Sequence, residues 1–344
     1  MFSMFLMNAA AVTQWVPFGV NITINSLALV EPIIFLSGFL ICLRTVPQVQ
    51  GGKYLRAEVM RKFAVRRIVR TWPLYFMVVA VCFIWPAMAD LEIRQPLWKF
   101  LTFTMNVDLD VRSGLASMWT LCIEEWCYLI FLLLIPLFAP RRNIWIFLSL
   151  AAASVAIRFY IVYSQGPFIN PISYMMYLKF PTWSHCDSFF LGCAFAEVFR
   201  VRGEIGRAES YISLALALGV AVLYYISIDL WTAYYQITIP LWGAVFSAFF
   251  IWGLPVIDDK WLRRTGLVHL GWMSYTIYLI HKITIEKFVD WSRGRGVLEA
   301  GSTLEMAGAF AFTCVVGAVL FWILEKPILQ VLRRPYFSPS PIHR

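Results

Sequence analysis

An all-α fold, a polytopic transmembrane helix bundle of about nine spans, is what this sequence predicts, and three observations predict it. The chain of 344 residues is 60% hydrophobic and only 14% charged, where a soluble domain carries about 25% charged residues. Apolar stretches of the roughly 20 residues needed to cross the hydrocarbon recur along its whole length. Lys and Arg cluster in alternate connections, while the intervening ones are mixed in charge or nearly uncharged, the pattern of the positive-inside rule.

The elements follow in order. Residues 1–18 form a short apolar stub in which MFSMFLMNAAAV is too short to span. The stub has neither the basic region nor the cleavage site of a signal peptide. The first span, 19–43, carries Glu31 before Pro32, and an uncompensated carboxylate at that depth is costly, so Glu31 is expected to face the interior. Ser37 and Gly38 in the same span permit close helix approach. The basic segment 44–71 is expected on the cytoplasmic side, with Gly51 and Gly52 before an amphipathic surface helix over 53–70. Pro73 reads as a helix boundary at the start of the second span, 72–89.

The remaining spans are 117–138, 143–163, 183–199, 211–228, 236–257, 268–289 and 304–325. Basic residues cluster after the first, third, fifth, seventh and ninth spans, which puts the C-terminus in the cytoplasm. Nine spans then leave the N-terminus outside, and the expectation is that a preceding helix is missing from this chain. The alternative is a stub lying in the interface. Residues 1–344 are otherwise one integral membrane domain, without repeats or a soluble appendage.

The net charge of +9 sits in these connections and implies topology and membrane lipid, with no nucleic-acid partner. The seven Cys residues include no CxxC pair, and no HExxH, Walker loop or GxSxG elbow is present, so no metal and no bound nucleotide is expected.

Several ionisable groups stand against this apolar background. Arg66 and Arg70 are four apart and share a helix face, with Arg67 beside them. Planar guanidinium forks suit phosphate oxygens; topology and lipid head groups are the plainer reading of the same charges. Glu124 and Glu125 lie about six residues into the third span. Adjacent helical positions point about 100° apart, so the two must face different neighbours. Either is a potential acid or base, or a structural partner for a cation. His281 lies inside the eighth span with Ser274 and Tyr278 on roughly its face. Imidazole is the best general-base type in the chain, and a satisfied packing histidine is the alternative. His185 and Asp187 are two apart and are not expected to face each other. Glu325, Lys326 and Pro327 read as a helix-end device at the cytoplasmic interface.

Five segments in order resemble the membrane-bound acyltransferase type 3 family. EPIIFLSGFLI, from Glu31, is similar to a family run with Asp in the acidic position. RKFAVRRIVRTWPLY resembles its basic run before a Pro, and MWTLCIEEWCYLIFLLLIP resembles a segment whose acidic position falls on Glu124. In FPTWSHCDSFFLGCAFA, His185 replaces a family Arg. LGWMSYTIYLIHK matches a SYxxYLxH helix at Ser274, Tyr275, Tyr278, Leu279 and His281. The resemblance spans 19 to about 334. It implies transfer of an acyl group, commonly acetyl, from cytoplasmic acyl-coenzyme A, a co-substrate with no other cofactor, to a hydroxyl of a glycan or other cell-envelope acceptor. It implies a bacterial-type inner membrane, donor phosphates on Arg66, Arg67 and Arg70, and Glu31, Glu124 and His281 lining the reactive interior. The family's first helix carries a basic residue and a catalytic His about ten residues on, and that helix is not in this sequence. A transporter or lipid-handling protein, or a catalytically impaired truncated member, are the competing readings. Trp98, Tyr174 and Tyr177 in the outer loops 90–116 and 164–182 suit stacking on a sugar, and equally an interfacial aromatic belt.

Overall fold

The computed structural model describes residues 30–52, 54–86, 93, 95–109, 113–227 and 231–333. The stub and the start of the first span lie outside them, and so does the extreme C-terminus. Among the described residues there is no strand. The long helices are α1 (Glu31–Gln50), α2 (Arg56–Ile84), α3 (Trp119–Leu134), α4 (Arg142–Gln165), α5 (Cys186–Arg202), α6 (Arg207–Ser227), α7 (Ala233–Gly253), α8 (Leu267–Gly294) and α9 (Thr303–Leu320). Each expected span falls on one of them. Seven of these segments are long and apolar enough to cross a membrane. The other two fall short, α5 at 17 residues and α8, whose 28 residues mix apolar side chains with Ser274, Tyr275, Tyr278, His281 and Lys282.

The basic segment departs from expectation. Residues 44–50 complete α1, and 56–71 are the first half of α2, which runs without a break for 29 residues through Pro73. No separate surface helix forms; the turn at Gly51 and Gly52, the latter at φ 64°, is the only interruption. Proline is tolerated inside a membrane helix where neighbours satisfy the freed backbone. Here Pro73 removes the amide that would bond the Val69 carbonyl, and the Tyr275 hydroxyl of α8 donates to the nearby Thr71 carbonyl at 2.6 Å, which ties α2 to α8 at that turn.

The centre of the bundle is the crossing of α1 and α5. A Cβ at Gly38 would lie 2.0 Å from the Phe189 carbonyl oxygen, and one at Gly192 would lie 2.1 Å from that of Phe35. Only glycine lets the two backbones meet so closely, as Gly38 led us to expect. Phe131, Phe147 and Phe189 fill the space between α3, α4 and α5 and are fully buried.

A second buried contact pins α4 to α5. Arg158 and Asp187, both with fully buried side chains, form a bidentate pair at 2.8 and 2.6 Å. Arg158 also donates to the carbonyls of Ile237 and Ser184. Such a pair is tolerated in low dielectric because each donor finds an oxygen.

Glu325 does not end a helix, because Phe321–Glu325 runs directly on into Lys326–Arg333. It is buried within a π-helical turn, Phe321–Glu325, and accepts a hydrogen bond from Thr276. The connections 90–116 and 164–182 are joined, because Asn106 donates to the Phe180 carbonyl and to Thr182, each at 3.0 Å. Of their aromatics, Trp98 is exposed and Tyr174 is buried, while Tyr177 stacks on Phe168 at 5.4 Å.

Candidate functional site

Positions 59, 63, 66, 67 and 70 recur at three- and four-residue spacing and so share one face of α2. That face looks onto Arg44, Thr45 and Gln48 of α1 across a pocket of about 350 Å³. Arg66, Arg67 and Arg70 all line it, and Arg44 joins them from the other wall. No Asp or Glu is among its lining residues. Four guanidinium groups around one cavity repel each other unless an anion sits between them.

Arg67 reaches furthest inward. Its guanidinium lies 4.9 Å from the ring centre of Tyr128 and 5.8 Å from that of Phe63, within cation–π range. Beyond it lie the two adjacent carboxylates of α3, which diverge as their 100° offset requires. Glu124 accepts the Ser37 hydroxyl of α1. Glu125 accepts from Thr71 at 2.9 Å and from the Trp72 indole at 3.1 Å, both on α2. Hydroxyl and indole donors thus hold both groups.

Glu31 is fully buried and faces the interior. It accepts from Ser188, and its other oxygen is 2.6 Å from Nδ1 of His185. Nε2 of His185 lies 2.5 Å from the Lys179 carbonyl. The Lys179 carbonyl can only accept, so Nε2 carries a proton, and one further proton is shared between Nδ1 and Glu31. His185 stands in the place where the resemblance has Arg. The expected separation of His185 from Asp187 holds, since each has its own partner on a different helix.

His281 stands apart from these groups. Its Nδ1 lies 2.6 Å from the Tyr278 carbonyl, an acceptor, so Nδ1 carries the proton and Nε2 is the basic atom of the neutral ring. The Tyr278 hydroxyl donates to the Ser117 carbonyl at 3.1 Å, accepts from the Leu121 amide and pairs with Thr120 at 2.9 Å. The SYxxYLxH helix thereby clamps the first turn of α3, one turn before Glu124. His281 lines neither the arginine pocket nor the groove beside it.

The structure thus gathers Arg66, Arg67 and Arg70 into one pocket and sets Glu124 one helix layer deeper. Glu31 and His281 go to two further contacts. Sequence reasoning missed Arg44 as a pocket wall, Arg158 as a buried cation and His185 as the partner of Glu31. Arg158 had a signal, a single cation inside the apolar run of α4. The other two depend on long-range contacts.

A family profile described as an acyltransferase domain, that of acyltransferase type 3, matches residues 4–324. No curated protein and no solved structure matches the chain.

Proposed function

The chain belongs to the acyltransferase type 3 family, and on that premise we propose that it is a membrane O-acyltransferase moving an acyl group from acyl-coenzyme A to a hydroxyl of a glycan or other cell-envelope acceptor. The observation that carries this reading is the pocket lined by four arginines, with no Asp or Glu among its lining residues. Coenzyme A brings a pyrophosphate and a ribose phosphate, and guanidinium forks bind such oxygens two at a time. The pocket lies at the basic end of α1 and α2. That end faces the cytoplasm of a bacterial-type inner membrane, where the donor is made.

The reaction needs no redox partner. The acceptor O–H loses its proton to a base as its oxygen bonds to the thioester carbonyl carbon. The C–S bond then breaks, and the departing thiolate takes a proton. Nε2 of His281 is a basic imidazole nitrogen inside the bundle, since Nδ1 is turned to the Tyr278 carbonyl. Glu124, with Ser37, and Glu125, with Thr71 and Trp72, stand between the arginines and the outer half of the bundle. Acetyl is the ordinary acyl group for this reading.

Equilibrium binding of coenzyme A to the purified full-length chain in detergent tests it. Arg70→Ala and Arg44→Gln should each weaken binding about 10- to 100-fold, the effect of losing one charge-assisted contact of about 1.5–3 kcal/mol. Their melting temperatures should stay close to the parent's. Unchanged affinity in both stable variants would reduce the arginines to topology signals.

A further inference from the structure

A second cavity, of about 430 Å³, lies on the other side of Phe63 and Arg67, between α2, α3 and the Leu97–Leu101 helix with the turn after it. Phe63 and Arg67 line both spaces. The walls of this groove are otherwise aliphatic and aromatic, with Ala64 and Ile68 on one side and Leu129 and Leu132 on the other. Its polar groups are engaged within the protein. Glu125 is held by Thr71 and Trp72, Trp126 donates to the Phe103 carbonyl at 3.0 Å, and Thr102 donates to the Trp98 carbonyl at 2.8 Å. Ile68, Trp126 and Leu129 are about two-fifths exposed, so the groove opens sideways toward lipid.

We infer that this groove receives the hydrocarbon chain of the donor's acyl group, and that the enzyme accepts acyl chains several carbons longer than acetyl. The inference rests on the acyl-coenzyme A reading above. The occupant must combine an anionic head in the arginine pocket with an apolar tail, because the two spaces share a wall that carries one of the arginines. From Val59 in the arginine pocket to Trp72 in the groove is 13 residues, about 20 Å of helix. That leaves room for an extended linker between phosphates and thioester. An acetyl group has three heavy atoms, of size comparable to a water, whose share of liquid volume is about 30 Å³. It would leave most of the groove unfilled. A longer chain buries methylenes against Ala64 and Leu129, each worth about fourfold in affinity when fully buried. The open side lets the chain continue into the bilayer.

The test is binding of coenzyme A and its S-ethyl, S-hexyl and S-dodecyl thioethers to the full-length chain in detergent. Three variants are compared with the parent. Ala64→Phe and Leu129→Trp narrow the groove from opposite walls, and Leu133→Phe adds the same bulk at an exposed position outside it. In the parent and in Leu133→Phe, affinity should climb at least 100-fold from S-ethyl to S-dodecyl. In Ala64→Phe and Leu129→Trp the climb should fall below about tenfold, while affinity for free coenzyme A stays unchanged. That unchanged affinity also shows both variants are folded. Free coenzyme A binding with no climb, or an equal climb in all four proteins because the chain merely enters the micelle, would overturn the groove and leave the arginine pocket standing. No binding of free coenzyme A to any form would overturn the underlying functional reading instead.

Discussion

Glu31 and His185 are 154 residues apart in sequence and meet at 2.6 Å in the bundle. They are also two of the positions where the chain departs from its family's pattern, Glu for Asp and His for Arg. The longer acid reaches the shorter base, so the two departures compensate each other. His185→Ala should strand a buried carboxylate and cost about 3–5 kcal/mol, read as a fall in melting temperature. Glu31→Asp combined with His185→Arg should be more stable than the sum of the single changes allows, with a coupling of about 0.5–3 kcal/mol. Additive effects would show that the pair does not act as a unit.

Arg158 and Asp187 offer a harder case, because neither side chain touches solvent. Arg158→Met leaves Asp187 buried without its cation and should destabilise by about 3–5 kcal/mol. Arg158→Met with Asp187→Leu should recover most of that loss, since two well-packed apolar groups remove the desolvation cost altogether. Thermal unfolding of the three proteins in one detergent decides it. A double variant no better than the single would place the value of Arg158 in its backbone contacts to Ile237 and Ser184.

The glycine crossing gives a steric prediction. Gly38→Ala places a methyl group on the Phe189 carbonyl, so α1 and α5 must separate. Overpacking of this kind costs about 1–3 kcal/mol or more, and loss of folded protein after extraction would report it. Gly219→Ala is the control. Nothing lies within 4 Å of its Cβ, and it should gain about 0.5–1 kcal/mol from the helix interior of α6.

Lys179, in the outer connection between α4 and α5, is buried, and burial pushes it down to about 8 from 10.5. Its folded state therefore binds fewer protons than the unfolded chain between those two values. Stability should rise with pH across the window from about 8 to 10.5, and the penalty should be fully present below it. Lys179→Met should raise the melting temperature at pH 7 and flatten its climb above pH 8. A parent protein whose melting temperature falls through that window would contradict the assignment.

Much of this was legible in the sequence, for physical reasons. Apolar length set the helices, and the Arg66–Arg70 spacing set a common face, so both survive in the structure. Gly38 announced a close approach because nothing but another backbone needs so little room. What stayed hidden was pairing. A charge inside an apolar run shows only that a partner exists. Nothing local in α1 points to His185, and nothing in α4 names Asp187. Pro73 misled because proline removes one hydrogen bond and does not by itself end a helix whose neighbours hold it. Glu325 misled for a related reason: its place beside Lys326 and a proline read as a helix terminus, whereas Thr276 of a distant segment holds it inside.

The unbroken length of α2 bears on the membrane around it. Its 29 residues extend about 43 Å, whereas the hydrocarbon layer is about 30 Å thick. With Ile84 at the outer boundary and the helix upright, roughly nine residues stand clear of the inner boundary, which then falls near Ala64. Arg66, Arg67 and Arg70 lie just beneath that level. Those guanidinium groups face α1 across their shared pocket, so the pocket rather than a deformed bilayer gives them access to water at that depth. At this end of the bundle the aqueous boundary therefore follows the protein cleft, and an anionic molecule would meet the arginines within it rather than at the plane of the head groups.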